Sequence, residues 1–198
     1  HGLAVQAMRA RGKKDIRIGL AENISIAVPG LETPEHIAAA EKATREMNAQ
    51  YMNVIQTGKY TDQYLETHGK DAPKFTDAEL KAISSPLDFA GINVYTGESI
   101  RADGSKQGYA IVPRPTSFPH MPSPWLFVYP ESLYWGARHV QKLWGAKEIY
   151  ITENGCSAAD IPAADGKVYD TERVMYLRNY LSQLQRATAE GVPVKGYF

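Results

Sequence analysis

Ile149-Tyr150-Ile151-Thr152-Glu153-Asn154-Gly155 decides how the rest of this 198-residue chain is read. Three β-branched residues and an aromatic, Ile149 to Thr152, make a short apolar run closed by a turn signal, the pattern of a buried strand. The run delivers one carboxylate, Glu153, where Asn154 and Gly155 begin a turn. In parallel α/β folds ligands bind beyond the carboxyl ends of the strands, so an acid there is a stronger catalytic candidate than one on a helix face. Position alone leaves a second reading open, in which Glu153 only caps the turn.

Upstream, Pro130-Glu131 starts a helix whose inner face takes Leu133, Ala137, Val140 and Leu143 before Gly145 stops it. Downstream, Asp170-Thr171-Glu172 opens another, with Val174, Leu177, Leu181, Leu184 and Thr188 at helical spacing up to Gly191, and Val194 to Phe198 reads as a further strand. Toward the N-terminus, Asp88 to Tyr95 is a strand with Asn93 and Tyr95 near its carboxyl end. Ile16 to Leu20 is another, with Glu22 and Asn23 beyond it. The helix between them starts at Thr33-Pro34-Glu35, and Ile37, Ala40, Thr44, Met47, Tyr51 and Val54 form one buried face ending near Gly58. A first helix covers Gly2 to Arg11 with Leu3, Ala7 and Met8 or Ala10 inward, Lys59 to Lys74 is a polar and aromatic surface excursion, and a short helix spans Asp77 to Ile83. The connection from Gly97 to Pro124 is long, with a hairpin signal at Asp103-Gly104 and five prolines from Pro113 onward, and Trp125 after it can serve as a binding-site wall.

Strands alternating with helices imply a parallel sheet joined by right-handed crossovers, either doubly wound or part of an eight-stranded barrel. No glycine-rich phosphate loop favours the first. Polar residues at the ends of successive strands, Asn23, then Asn93 and Tyr95, then Glu153, favour the barrel, which gathers such residues at one mouth. Four strands of eight make roughly half a barrel.

Lys and Arg balance Asp and Glu at 22 each, so no net field recruits nucleic acid or an anionic membrane, and no run is apolar enough to span one. A small neutral substrate fits better. The lone Cys156 forms no internal disulfide, in keeping with a reducing, cytoplasmic setting, and reads as a packing residue near the pocket. His36, His68 and His139 lack metal-ligand spacing and His120 reads as a solvated loop residue, so neither a metal nor a cofactor is expected. The chain opens on His1 inside a helix and stops at Phe198 within an apolar run, which leads us to expect one catalytic domain, residues 1–198, incomplete at both ends.

Thr152-Glu153-Asn154-Gly155 resembles the nucleophile motif of glycoside hydrolase family one, the β-glucosidase family of (β/α)8 TIM barrels. Asp88-Phe89-Ala90-Gly91-Ile92-Asn93-Val94-Tyr95-Thr96 resembles that family's sixth strand, and Ile18-Gly19-Leu20-Ala21-Glu22-Asn23 its fifth. Trp125 with Tyr129-Pro130-Glu131-Ser132-Leu133-Tyr134 is similar to the segment before helix seven, and Gly191 to Phe198 to the entry into strand eight. The matches run in family order, from the end of helix four through strand eight. The family's Asn-Tyr-Tyr reads Asn93-Val94-Tyr95 here.

The resemblance implies a retaining β-glycosidase, most simply a β-glucosidase. Glu153 is then the nucleophile, Tyr95 donates the hydrogen bond that orients it, Asn93 and Asn23 line the sugar site or support it, Trp125 is an aromatic platform, and Asn154 supports the turn. The family's Thr-x-Asn-Glu-Pro acid/base motif is absent, as are its early-strand Gln, His and Trp, the Arg beside the nucleophile, and the Trp-Ser-x-x-Asp-Asn segment after strand eight. That leaves gluco-, galacto-, fuco- and 6-phospho-glycosides unseparated. The alternative is a noncatalytic carbohydrate-binding relative, or a half-barrel that pairs with its missing half or self-associates through open strand edges.

Overall fold

A computed structural model describes residues His1 to Phe198. Its elements are α1 (Gly2–Arg11), β1 (Gly19–Asn23), β2 (Ala27–Pro29), α2 (Pro34–Met47), α3 (Val54–Thr57), α4 (Asp62–His68), α5 (Asp77–Ile83), β3 (Phe89–Asn93), β4 (Glu98–Ala102), β5 (Tyr109–Ile111), α6 (Glu131–Trp144), β6 (Ile149–Glu153), α7 (Thr171–Ala189) and β7 (Val194–Tyr197).

The main sheet has four parallel strands in the order β1-β3-β6-β7. Each new strand is added on the same side of the last, with no reversal of order, which is how a barrel winds and not how a doubly wound sheet does. One face packs on helices. Ala90 and Ile92 of β3 and Ile149 and Ile151 of β6 share a core with Leu133, Ala137 and Val140 of α6 and with Tyr176, Tyr180 and Leu184 of α7. The other face, carrying Gly19, Ala21 and Asn23, then Phe89, Gly91 and Asn93, then Tyr150 and Thr152, is where the polar strand ends lie. Its close fit depends on glycine: a Cβ on Gly19 would sit 2.1 Å from the Phe89 ring, and one on Gly91 would sit 2.4 Å from the Leu20 carbonyl oxygen and 2.8 Å from Thr152 Cγ2.

Several elements depart from the sequence reading, each for a local reason. The first strand lies at Gly19–Asn23, later than Ile16 to Leu20, because the sheet partner β3 fixes its register from Gly19↔Phe89 to Asn23↔Asn93. In α1 Leu3 and Met8 point outward and Val5 is buried; Gly2, where a Cβ would meet the Ala82 carbonyl oxygen at 1.6 Å, lets α1 lie tight on α5. The face predicted after Thr33 holds at Ala40, Thr44, Met47 and Val54 and fails at Tyr51. A π-helical turn over Ala49–Asn53 inserts a residue, so Met52 enters the core and Tyr51 is left outside. Thr33 sits at the N-cap position, but its hydroxyl pairs with His36 Nδ1 at 3.0 Å and not with the helix backbone.

On α7 the predicted aliphatic stripe is largely on the surface, with Val174, Leu177 and Leu181 exposed, and the buried face is Tyr176, Tyr180, Leu184 and Ala187. A tyrosine ring buries as well as leucine once its hydroxyl has a partner. The excursion from Lys59 to Lys74 contains α4, capped by Thr61. The hairpin signal at Asp103-Gly104 joins β4 and β5, which pair antiparallel. Unforeseen was β2, which pairs parallel to β4 and builds a second, three-stranded sheet over Ala39, Ala40 and Ala43 of α2.

Candidate active site

A β-bulge makes the site. Along β3 and β6 the pairs Ala90↔Ile149, Gly91↔Tyr150 and Ile92↔Ile151 run in step, and then Asn93 pairs with Glu153, skipping Thr152. Strict alternation would put Glu153 on the side of Ile149 and Ile151, which faces the helices. The extra residue turns it to the open side, in line with Asn93. There the hydroxyl of Tyr95, two residues past Asn93 and on the same face, donates to Glu153 Oε2. This bond, with some burial, pushes the Tyr95 phenol up to about 12. Tyr95 is therefore a protonated donor at neutral pH.

The amides form a second row. Asn93 Nδ2 donates to Asn23 Oδ1 at 2.9 Å, and Asn93 Oδ1 accepts from the Thr152 hydroxyl at 2.6 Å. Asn93 is buried and engaged at both ends of its amide, whereas Asn23 lies at the exposed end of β1. Asn154 faces away from this row. Its Nδ2 donates to the Val94 carbonyl at 2.7 Å and to the Tyr176 hydroxyl at 3.0 Å, and its Oδ1 accepts from the Tyr197 hydroxyl at 2.8 Å.

The wall comes from the long connection after β5, which is ordered by its own hydrogen bonds. Met121 N donates to Leu126 O and Val128 N to Pro119 O, both at 2.9 Å, so the segment folds back as a small hairpin with Trp125 at its tip. Arg114 fastens it: the guanidinium lies 4.2 Å from the Phe127 ring centroid, pairs with Glu98 at 2.8 Å and donates to the Gly97 carbonyl. Trp125 is 56% exposed and stands edge-on to Tyr95, ring centroids 5.7 Å apart. His120 is exposed on the same hairpin, with Nδ1 against the Met121 carbonyl.

All five residues singled out in the sequence, Asn23, Asn93, Tyr95, Trp125 and Glu153, border one cleft of about 750 Å³, within the range of small-molecule sites. Ser123, Cys156 and Ser157 border it too. Burial raises the pKa of the Cys156 thiol, which keeps it protonated. Glu22 does not reach the cleft lining. Paired with Ile92 and one residue out of phase with Asn23, it sits on the opposite face, where burial raises its pKa. His139, far in sequence from the site, is buried and donates from Nε2 to the Ala27 carbonyl at 2.9 Å, tying α6 to the second sheet. Thr152 and the tyrosines of α7 carried no motif and were missed. The one signal for the tyrosines was their own four-residue spacing on α7.

The sequence matches the profile of Glycosyl hydrolase family 1 across residues 1–198. Among curated proteins, 1,4-beta-D-glucan glucohydrolase of Thermotoga neapolitana is 34% identical over 200 residues, covering 100% of this chain and 46% of its own length. Beta-glucosidase A of Acetivibrio thermocellus is 34% identical over 205 residues, covering 100% and 45%. Among solved structures, the family 1 β-glucosidase of Thermotoga maritima in complex with isofagomine lactam superposes with a TM-score of 0.79 at 31% identity, over 100% of this chain and 44% of that one. The same enzyme with deoxynojirimycin gives 0.80 at 32%. The chain thus spans a little under half the length of these relatives, and its parallel β/α units are those of roughly strands five to eight of their (β/α)8 barrel. Matched from end to end by the family profile and superposing along its whole length, the chain belongs to glycosyl hydrolase family 1.

Proposed function

We propose that these residues carry the nucleophile half of a retaining β-glycosidase site, acting on β-glucosides. The observation that supports it most is the Tyr95 hydroxyl on Glu153 Oε2, at adjoining strand ends and beside Trp125 on a sugar-sized cleft. In this reading the free oxygen of Glu153 attacks the anomeric carbon, the bond from that carbon to the leaving oxygen breaks, and a covalent glycosyl-enzyme forms; water then releases the sugar. Tyr95 holds one carboxylate oxygen so that the other points at substrate. Trp125 supplies a flat apolar surface for a sugar or aglycone face, Asn23 offers its amide to sugar hydroxyls, and Asn93 holds Asn23 and Thr152 in place.

The leaving oxygen needs a proton from a second carboxyl group about 5 to 5.5 Å from the first. The only other carboxylate on the cleft, Glu98, is engaged by Arg114 and does not fit that role. In this reading residues 1–198 are part of one catalytic domain, and β1 and β7, the outer strands of the sheet, pair with further strands that bring the acid. A sheet whose edges pair with another copy, giving a sugar-binding module without turnover, is the competing outcome.

The test is proton NMR of the first sugar released from an aryl β-glucoside by the full chain carrying these residues. The β-anomer appearing first, and its loss on Glu153→Gln, is the expected result. An α-anomer first, or turnover that survives Glu153→Gln, refutes the assignment.

A further inference from the structure

Tyr95 holds Glu153, and Tyr95 is itself held from behind. Tyr176 and Tyr180 lie one turn apart on α7 with their rings stacked at 3.9 Å, 2% and 0% exposed. Both hydroxyls donate to a single acceptor, the carbonyl oxygen of Tyr95, at 3.2 and 2.9 Å. The Tyr180 oxygen also accepts the amide of Tyr129 at 2.8 Å, at the foot of α6 just past the Trp125 hairpin. The Tyr176 oxygen accepts from Asn154, the residue after Glu153. One buried layer therefore grips the chain on both sides of the Tyr95–Glu153 bond.

Packing alone does not call for these hydroxyls. Phenylalanine would fill the same space without the desolvation of two phenol oxygens, and a buried hydroxyl is tolerated only when it is bonded. Here two of them occupy both lone pairs of one carbonyl and so fix the plane of the Tyr95 peptide. A tilt of roughly ten degrees at that peptide would swing the phenol oxygen by about 1 Å, and misplacement on that scale can cost a reaction step about a hundredfold.

We infer that Tyr176 and Tyr180 are positioning residues of the glycosidase site, acting through the backbone of Tyr95 to keep its hydroxyl on Glu153. The inference rests on Tyr95 and Glu153 being the working pair proposed above.

The test is a double-mutant cycle in the full chain. Tyr176→Phe and Tyr180→Phe are measured alone and with Tyr95→Phe, and Tyr134→Phe, a buried tyrosine whose hydroxyl goes to Glu190, serves as the packing control. Each α7 variant is expected to lower kcat by about 3- to 10-fold, the worth of its hydrogen bond to the Tyr95 carbonyl, with KM for an aryl glucoside within about twofold, while the second bond each hydroxyl makes, to Tyr129 or Asn154, is read in the melting temperature. In the Tyr95→Phe background the loss should shrink to under about twofold, because the hydroxyl being positioned is gone. Melting temperatures that fall with kcat intact, or losses that multiply undiminished with Tyr95→Phe, overturn it. The ring signal of Tyr95 gives a second readout free of turnover: its titration midpoint should drop in Tyr180→Phe, and an unmoved midpoint overturns the inference. Labelling of the unmutated chain away from Glu153 would strike down the proposed nucleophile, and the Tyr95 midpoint would still decide the positioning role separately.

Discussion

Glutamine at position 153 keeps a side-chain oxygen for the Tyr95 hydroxyl and removes the charge, so it isolates what the carboxylate does to the phenol. In the unmutated chain the bond to Glu153, then burial, then the negative charge push Tyr95 from 10.0 up to about 12. Tyr95 is only half-buried, so solvent screens part of this, which leaves on the order of 1 kcal/mol, or about one unit. The proton is held more tightly in the folded state, so this stabilisation is complete below about pH 10 and is lost as the pH rises through about 12. The assay is NMR of tyrosine ring carbons between about pH 8 and 12.5. The chain has 12 tyrosines, and the Tyr95 signal is the one lost in Tyr95→Phe. Glu153→Gln should lower the Tyr95 midpoint by about one unit or more. Identical midpoints in the two chains would refute the contact on which the site is built.

Three further outcomes follow from other parts of the molecule. Burial, against the opposing pull of the Ala27 carbonyl and with help from Arg138, drags His139 from 6.5 down to about 4, so its contribution to stability is present above about pH 6.5 and is lost as the pH falls to about 4. That is on the order of 3 kcal/mol, and His139→Gln, which keeps a donor for the Ala27 carbonyl without titrating, should flatten the fall in urea midpoint between about pH 6.5 and 4.5. Residues 1–198 expressed alone should show glycosidase turnover at least about 10²- to 10⁴-fold below that of a complete barrel, and should self-associate in sedimentation through the free edges of β1 and β7. Trp125→Ala should raise KM for aryl glucosides by about 3- to 10-fold with a smaller change in kcat, the worth of one aromatic face contact.

Much of the layout was legible because it rests on periodicity and punctuation. The strands around Ile92 and Ile151, the helix from Glu131 to Gly145, and the gathering of Asn23, Asn93, Tyr95 and Glu153 at one end follow from apolar runs closed by Gly, Pro and Asn, whereas Trp125 is placed by its long loop and by the family resemblance. What escaped are single-residue shifts. The bulge that swings Glu153 toward Tyr95 and the π-helical turn that exchanges Tyr51 for Met52 each insert one residue, and no local residue type marks either. The inner face of α7 was misplaced because a buried tyrosine depends on an acceptor supplied by a distant strand, the Tyr95 carbonyl, which no window along α7 contains. The strand Ala27–Pro29 is too short to alternate and exists through its pairing with β4.

If Glu153 attacks the sugar, it can be trapped in the act. A 2-deoxy-2-fluoro-β-glucoside with an activated leaving group slows both displacement steps, because fluorine opposes the positive charge that develops at the anomeric carbon, while the good leaving group lets the first step proceed. Incubated with the full chain and digested, it should leave one fluoroglucosyl group on the peptide containing Ile149 to Gly155, at Glu153. A label on any other residue, or complete inactivation that leaves this peptide unmodified, would contradict the account.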